Sequence, residues 1–220
     1  VAPVGRLNEV LRAATWKDAP KVLPPSPRPG EIPENHAPCI VRDGDVYQMI
    51  YGPAPLRRAT SRDLYAWTPC GPLTNSLITR DPNLFHWKDG WYVLTCGVGD
   101  VRMAALHDFS SCGESRVILK SRGEEGDPES PSLIAYGGTF YLFVCIYDGK
   151  WDKKDLQGAY QHITRVYQSD DPFHFDVVRE IARLDAHAPE IFQDEDGEWN
   201  ISSVEWPCRG VSIAPLIWKK

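Results

Sequence analysis

Arg80-Asp81-Pro82-Asn83-Leu84-Phe85 decides how the chain is read, because three related segments recur along its 220 residues: His36-Ala37-Pro38, Glu129-Ser130-Pro131 and His187-Ala188-Pro189. Pro38, Pro82, Pro131 and Pro189 stand 44, 49 and 58 residues apart. Each proline is followed by a short run: Cys39-Ile40-Val41, Asn83-Leu84-Phe85, Ser132-Leu133-Ile134 and Glu190-Ile191-Phe192. A Gly-bearing turn comes next (Asp43-Gly44-Asp45, Lys88-Asp89-Gly90, Tyr136-Gly137-Gly138, Asp196-Gly197), then a strand rich in aromatic and β-branched residues at 46–51, 91–94, 140–144 and 199–202. Such residues suit a pleated, half-buried surface, and glycine between two of these runs marks a hairpin.

A third strand ends recognisably in the first three units, at 58–63, 104–108 and 166–171, and small or polar residues then lead into an outer strand. Four antiparallel strands repeated at about 40 to 50 residues predict an all-β chain folded as a β-propeller of four-stranded antiparallel blades around a channel. A β-sandwich would hold the same strands but gives no reason for the repeat.

A chain of this length is expected to form a single domain over 1–220. Its blade units span 36–73, 80–120, 129–184 and 187–220. Residues 1–35 read as a partial blade and a Pro-rich linker, since residues 11–18 resemble the third-strand segment 56–63 and Pro24-Pro25-Ser26-Pro27-Arg28-Pro29-Gly30 cannot pair inside a sheet. An amphipathic helix over residues 6–14, with Leu7, Val10 and Leu11 on one face, is the competing reading. The last unit has three strands, so closure of the ring predicts that a strand from residues 1–24 joins residues 211–218. A polar insertion at 148–158 is placed to rim the channel, or is simply a solvated loop.

With 24 basic and 30 acidic residues, net −6, and no basic stripe, the chain is not built for nucleic acid or an anionic membrane surface. No apolar run is long enough for a membrane span, and Val1, which opens the chain as in a mature or trimmed form, does not begin a signal peptide. Six cysteines (39, 70, 96, 112, 145, 208) show no Cys-x-x-Cys spacing, so zinc is not expected. Cys39, Cys96 and Cys145 sit among apolar strand residues and read as buried thiols, although an even count leaves disulfides, and therefore the compartment, undecided. Eight tryptophans suit packing between blades or a sugar-stacking site.

Propeller geometry brings the residues beside the four prolines to one axis: His36, Arg80 with Asp81, Glu129, and His187. Two acids converging with a guanidinium are the elements of glycoside hydrolysis, in which a carboxyl of raised pKa protonates the leaving oxygen while a carboxylate stabilises the cationic centre. Arg80 can hold a sugar hydroxyl or keep Asp81 ionised. His86, His107, His162 and His174 fall on strand ends or loops and read as surface residues, and Glu190 as a packing or rim residue.

The ordered set His-Ala-Pro, Arg-Asp-Pro, Glu-Ser-Pro, His-Ala-Pro resembles the blade starts of the five-bladed β-propeller glycosidases, the superfamily of arabinanases, xylosidases, invertases and levansucrases (glycoside hydrolase families 43, 32 and 68). Ala59-Thr60-Ser61-Arg62-Asp63-Leu64 with Trp67, and the ending Ile213-Ala214-Pro215-Leu216, are similar to runs found there. The likeness covers about 36–218. It implies Glu129 as general acid and Asp81 as the acid that binds hydroxyls and tunes the pKa of its partner, with His36, Arg80 and His187 as substrate-binding residues and a carbohydrate as partner. The Asp nucleophile that the family carries on a first blade has no counterpart in residues 1–35, so a non-catalytic carbohydrate-binding propeller is the alternative. No cofactor is implied; a structural calcium ion in the central channel is the one addition the resemblance allows, and His187 resembles the channel-facing histidine that some relatives use around such an ion, although their motif is not His-Ala-Pro. Sugar identity and oligomeric state stay open.

Overall fold

The structure, a computed structural model, describes residues 7, 22–23, 35–74, 79–121, 126–147, 163–205 and 210–218. In the first blade β1 (His36–Asp43), β2 (Val46–Gly52), β3 (Arg57–Ser61) and β4 (Thr68–Pro72) pair antiparallel in sequence order. The second has β5 (Arg80–Trp87), β6 (Gly90–Cys96) and β7 (Asp100–His107). Its outer position is divided between β8 (Ser111–Cys112) and β9 (Arg116–Lys120), which pair with opposite ends of β7. The third holds β10 (Asp127–Tyr136), β11 (Thr139–Tyr147), β12 (Thr164–Ser169) and β13 (Glu180–Leu184). The fourth has three strands, β14 (Ile191–Gln193), β15 (Trp199–Glu205) and β16 (Gly210–Pro215). The chain is therefore all-β, and its four sheets are the blades of a β-propeller.

The hairpins form where the turns permit them. Tyr136 pairs with Thr139, and the two residues between, Gly137 and Gly138, take φ of 59° and 84°, the positive values that a two-residue hairpin loop needs. The end of β3 is tied differently: the Asp63 carboxylate accepts from the backbone N–H groups of Tyr65 and Ala66, both at 2.8 Å, while Ser61 Oγ accepts from Asp63 and Leu64. These bonds hold the Asp63 carboxyl below its ordinary pKa. Asp171 and Ser169 repeat the device at the end of β12.

Blades stack because each middle strand is apolar on both faces, with alternate side chains pointing to opposite neighbours. On β6, Val93 packs with Ile50, Leu84 and Leu106 toward the first blade, while Leu94 packs with Leu133, Leu142 and Val144 toward the third. On β11, Phe143 turns the other way, to Val166 and Ile191 and the fourth blade. On β2, Ile50 faces the second blade, and Met49 and Tyr51 face Leu23 and Trp67. The inner strands follow the same path, β1 against β5, β5 against β10 and β10 against β14, an arc with β1 and β14 at its ends. At the far end of the arc Val204 and Val211 remain exposed.

The five described cysteines are free thiols, four of them buried. The partial blade and linker read in residues 1–35, the strand expected from 1–24, the insertion at 148–158, His162 and Cys208 lie outside the described residues, apart from Leu7, Val22, Leu23 and Asn35.

Candidate active site

All four inner segments open with the same backbone device. The residue before each proline is left-handed: Ala37 at φ 42°, Asp81 at 55°, Ser130 at 46° and Ala188 at 47°. Proline has no N–H to continue the ladder, and the register slips between His36 and Cys39, Arg80 and Asn83, and Glu129 and Ser132. Such a bulge re-aims side chains. His36, Arg80 and Glu129 therefore leave their blades at equivalent positions, opposite Gly52, Cys96 and Cys145. His187 holds the same level: its N–H donates to Ser203 Oγ at 3.0 Å and its carbonyl accepts from Val204 N–H at 2.9 Å.

Two of the predicted acids meet on one guanidinium. Arg80 Nη1 donates to Glu129 Oε1 and lies 3.7 Å from Asp81 Oδ2, while Arg80 Nη2 reaches the Pro128 carbonyl at 3.4 Å. Two ion-pair contacts to one nitrogen keep the carboxylates within roughly 8 Å of each other. Asp81 also accepts from the Ser130 N–H at 3.3 Å, across the boundary between the second and third blades.

Burial pushes the Glu129 carboxyl up, Arg80 pulls it down, and the Asp81 and Asp127 charges raise it again, so the net direction is upward. Asp81 is also raised, by burial, against the opposing pull of Arg80, the Ser130 N–H and nearby His36. Arg80 is raised, because its two carboxylates outweigh the opposing cost of its burial. The site thus holds two carboxyls, each raised above its ordinary pKa, beside a fixed cation.

His36 is exposed at the mouth, whereas His187 is buried, its Nδ1 3.5 Å from the Cys145 thiol, which also accepts from Ala188 N–H at 3.0 Å. His86, His107 and His174 are exposed, as expected of surface residues.

Glu190 has a larger place than the sequence reading assigned it. It lines, with Asp81, Ala37, Pro38 and Ser130, a cavity of about 290 Å³ at the proline tips. Asn83 lies beneath, sending its amide to Glu190 Oε2 at 3.5 Å and accepting from Leu133 N–H at 3.4 Å, so one side chain ties three blades across the axis. Glu190 stays solvent-accessible through the cavity, yet the protein around its carboxyl pushes its pKa up to about 7. The signal was available: Cys39, Asn83, Ser132 and Glu190 each follow the repeat proline directly, and they share one level of the channel.

A calcium ion would need six to eight oxygen donors. Among the described residues no group of three or more His, Cys, Asp or Glu side chains is arranged to hold a metal, and His187 turns Nδ1 to a thiol. No helix among the described residues is long and apolar enough to cross a membrane.

No family model matches the sequence, and no curated protein matches it. Solved structures do. The xyloglucan-locus protein GH43B of Bacteroides ovatus aligns with a TM-score of 0.67 and 14% identity, over 84% of this chain and 40% of that one. CoXyl43, a GH43 β-xylosidase/α-arabinofuranosidase from a compost microbial metagenome in complex with xylotriose, gives 0.66 and 16%, over 84% and 71%. An α-L-arabinanase of Cellvibrio cellulosa complexed with arabinohexaose gives 0.67 and 13%, over 87% and 76%. The likeness is one of fold: the chain has the β-propeller of the family 43 glycosidases, in four described blades, and spans two-fifths of the Bacteroides protein.

Proposed function

We propose that this propeller is a glycosidase-like protein that takes furanosides, pentosides or related oligosaccharides at the proline tips, with Glu129 as general acid and Asp81 as stabiliser. The observation that carries the reading is the shared guanidinium: Arg80 gathers two carboxyls from adjacent blades, Asp81 beside it on its own strand and Glu129 from the repeat position that matches Arg80. In this reading Glu129, 5% exposed, passes its proton to the leaving oxygen as the glycosidic bond breaks. Asp81 remains anionic beside Arg80 and offsets charge developing on the sugar. Arg80 and His36 hold hydroxyls, and His187 backs the wall.

Neighbours of the same fold were solved with xylotriose and arabinohexaose, which supports a pentose ligand. Hydrolysis of aryl xylosides and arabinofuranosides by the purified chain tests the reading. Glu129→Gln should lower kcat by at least about 100-fold with binding retained, while Asp81→Asn weakens both. Hydrolysis that Glu129→Gln leaves intact would overturn the assignment of the acid.

The second reading, a carbohydrate-binding propeller without turnover, is favoured by one observation: among the described residues only Asp81 and Glu129 pair with the Arg80 guanidinium. It predicts saccharide binding by calorimetry with no product released.

A further inference from the structure

Cleavage of a glycoside by an acid and a stabilising carboxylate leaves one task over: water quenches the cationic centre when a base on its other side takes the water's proton. Asp81 and Glu129 are both engaged on the Arg80 guanidinium. A third carboxyl faces the same ground. Glu190, on the fourth blade, and Asp81, on the second, line one cavity of about 290 Å³, with Pro38, Pro82, Pro131 and Val204 among its apolar walls. Ligand pockets run from about 300 to 1,000 Å³, so a cavity of this size suits a single sugar ring.

Glu190 is anchored at one end and open at the other. Its N–H donates to Ser202 Oγ at 3.0 Å, and Asn83 Nδ2 donates to its Oε2 at 3.5 Å, while among the described residues no donor reaches Oε1. Burial pushes the carboxyl up to about 7. The titratable groups nearest it are the Cys39 thiol from β1, held neutral at about 12, and Asp81 from β5 at the same cavity. What β10, β15 and β16 present there, Ser130, Ser202 and Val211 among them, does not ionise. His187, three residues ahead, turns Nδ1 to Cys145 instead. A carboxyl kept in a setting that disfavours its charge, with no cation among those neighbours, lowers stability near neutral pH, and such groups cluster where chemistry is done.

We propose that Glu190 is the general base of this site, a role that rests on the glycosidase reading and completes it. Glu190 takes one proton from a water molecule as the water oxygen bonds to the anomeric carbon. The bond from that carbon to the leaving oxygen breaks, its electron pair stays on the oxygen, and the oxygen receives the Glu129 proton. Glu190 gains one proton and Glu129 loses one, and exchange with solvent resets both. Asn83 is a positioning residue that holds the base through Oε2 and leaves Oε1 for the water.

Glu190→Gln keeps an acceptor for Asn83 and removes the charge. On aryl xylosides and arabinofuranosides it should lower kcat at least about 100-fold with KM little changed. The limb of the parent's pH profile that rises through about 7 should disappear with it. Sodium azide, a nucleophile that needs no base, should restore turnover of dinitrophenyl glycosides by Glu190→Ala and yield a glycosyl azide detectable by mass. Glu129→Gln should instead recover on those substrates without azide, because their leaving group needs no proton. Hydrolysis by the parent that Glu190→Gln leaves intact overturns the base while the glycosidase reading stands. Saccharide binding by the parent without any hydrolysis overturns that reading, and the base with it. A Glu190→Ala variant that has lost both hydrolysis and saccharide binding and does not respond to azide would make Glu190 a structural residue, which also overturns the proposal.

Discussion

Arg80 is the residue on which the candidate site turns, since without it two carboxyls raised by burial would face each other. Breaking a fully buried ion pair costs about 3–5 kcal/mol, and the 39% exposure of the Arg80 side chain reduces this, so Arg80→Leu should cost about 2 kcal/mol at pH 8. The loss should shrink as the pH falls, because both carboxyls are raised above their ordinary pKa and a protonated carboxyl no longer needs the cation; urea melts over a series of pH values would show it, and a pH-independent loss would contradict the electrostatic account. Glu190 makes a separate prediction. Its folded pKa of about 7 lies above the ordinary 4.5, so the folded chain binds the extra proton between those values. Its favourable contribution is complete below about 4.5 and is lost as pH rises through about 7. Glu190→Gln should therefore gain stability relative to the parent between pH 5 and pH 8, and parallel melting curves would refute this. Asp81 and Glu129 were legible in the sequence because both stand just ahead of a repeat proline, Glu129 at the place of Arg80 and Asp81 one residue nearer its proline. The place of Glu190 just after its proline was legible as well, but its link to Asn83 was not, because that contact joins residues 107 apart in the sequence.

At the scale of the element, the recurring feature is the left-handed residue ahead of each inner proline. Left-handed backbone costs an L-residue roughly 1–2 kcal/mol, least for Asp and Asn and most for β-branched side chains. Ala188→Gly should thus be neutral within about 1 kcal/mol, whereas Ala188→Val should cost about 2 kcal/mol or more. Equal melting temperatures for the two variants would count against strain at this position. The hairpins themselves were readable from glycine placement and aromatic strands, and the three-strand last blade was legible too. What the sequence did not show is the division of one outer strand into β8 and β9, which depends on how Cys112 and Arg116 meet β7. Nor did composition reveal that His187 would turn its ring to Cys145, since that contact joins the third blade to the fourth.

At the scale of the molecule, blades packed face to face make stability a sum over neighbours, so an internal blade has two supporting interfaces and an end blade has one. The apolar clusters follow that logic: the largest lies between the second and third blades, and the first blade turns its other face to Leu23 and Trp67. The four-blade order was legible because the repeat is local in sequence. Contacts between distant stretches, such as the Leu7 N–H donating to Glu195, were not legible. The distribution of thiols has a practical consequence. Cys39 belongs to the first blade, Cys96 and Cys112 to the second and Cys145 to the third; all four are buried, and burial pushes Cys39 up to about 12 and Cys112 to about 11. A neutral, hidden thiol reacts only when its surroundings open. Each of the first three blades therefore carries its own stopwatch, started by a thiol reagent and read by mass. Cys70, half-buried, should be tagged first among these five, Cys39 at the end of the arc next, and Cys96 and Cys145 last. Simultaneous tagging of the buried four would mean that the propeller opens all at once and not from its rim.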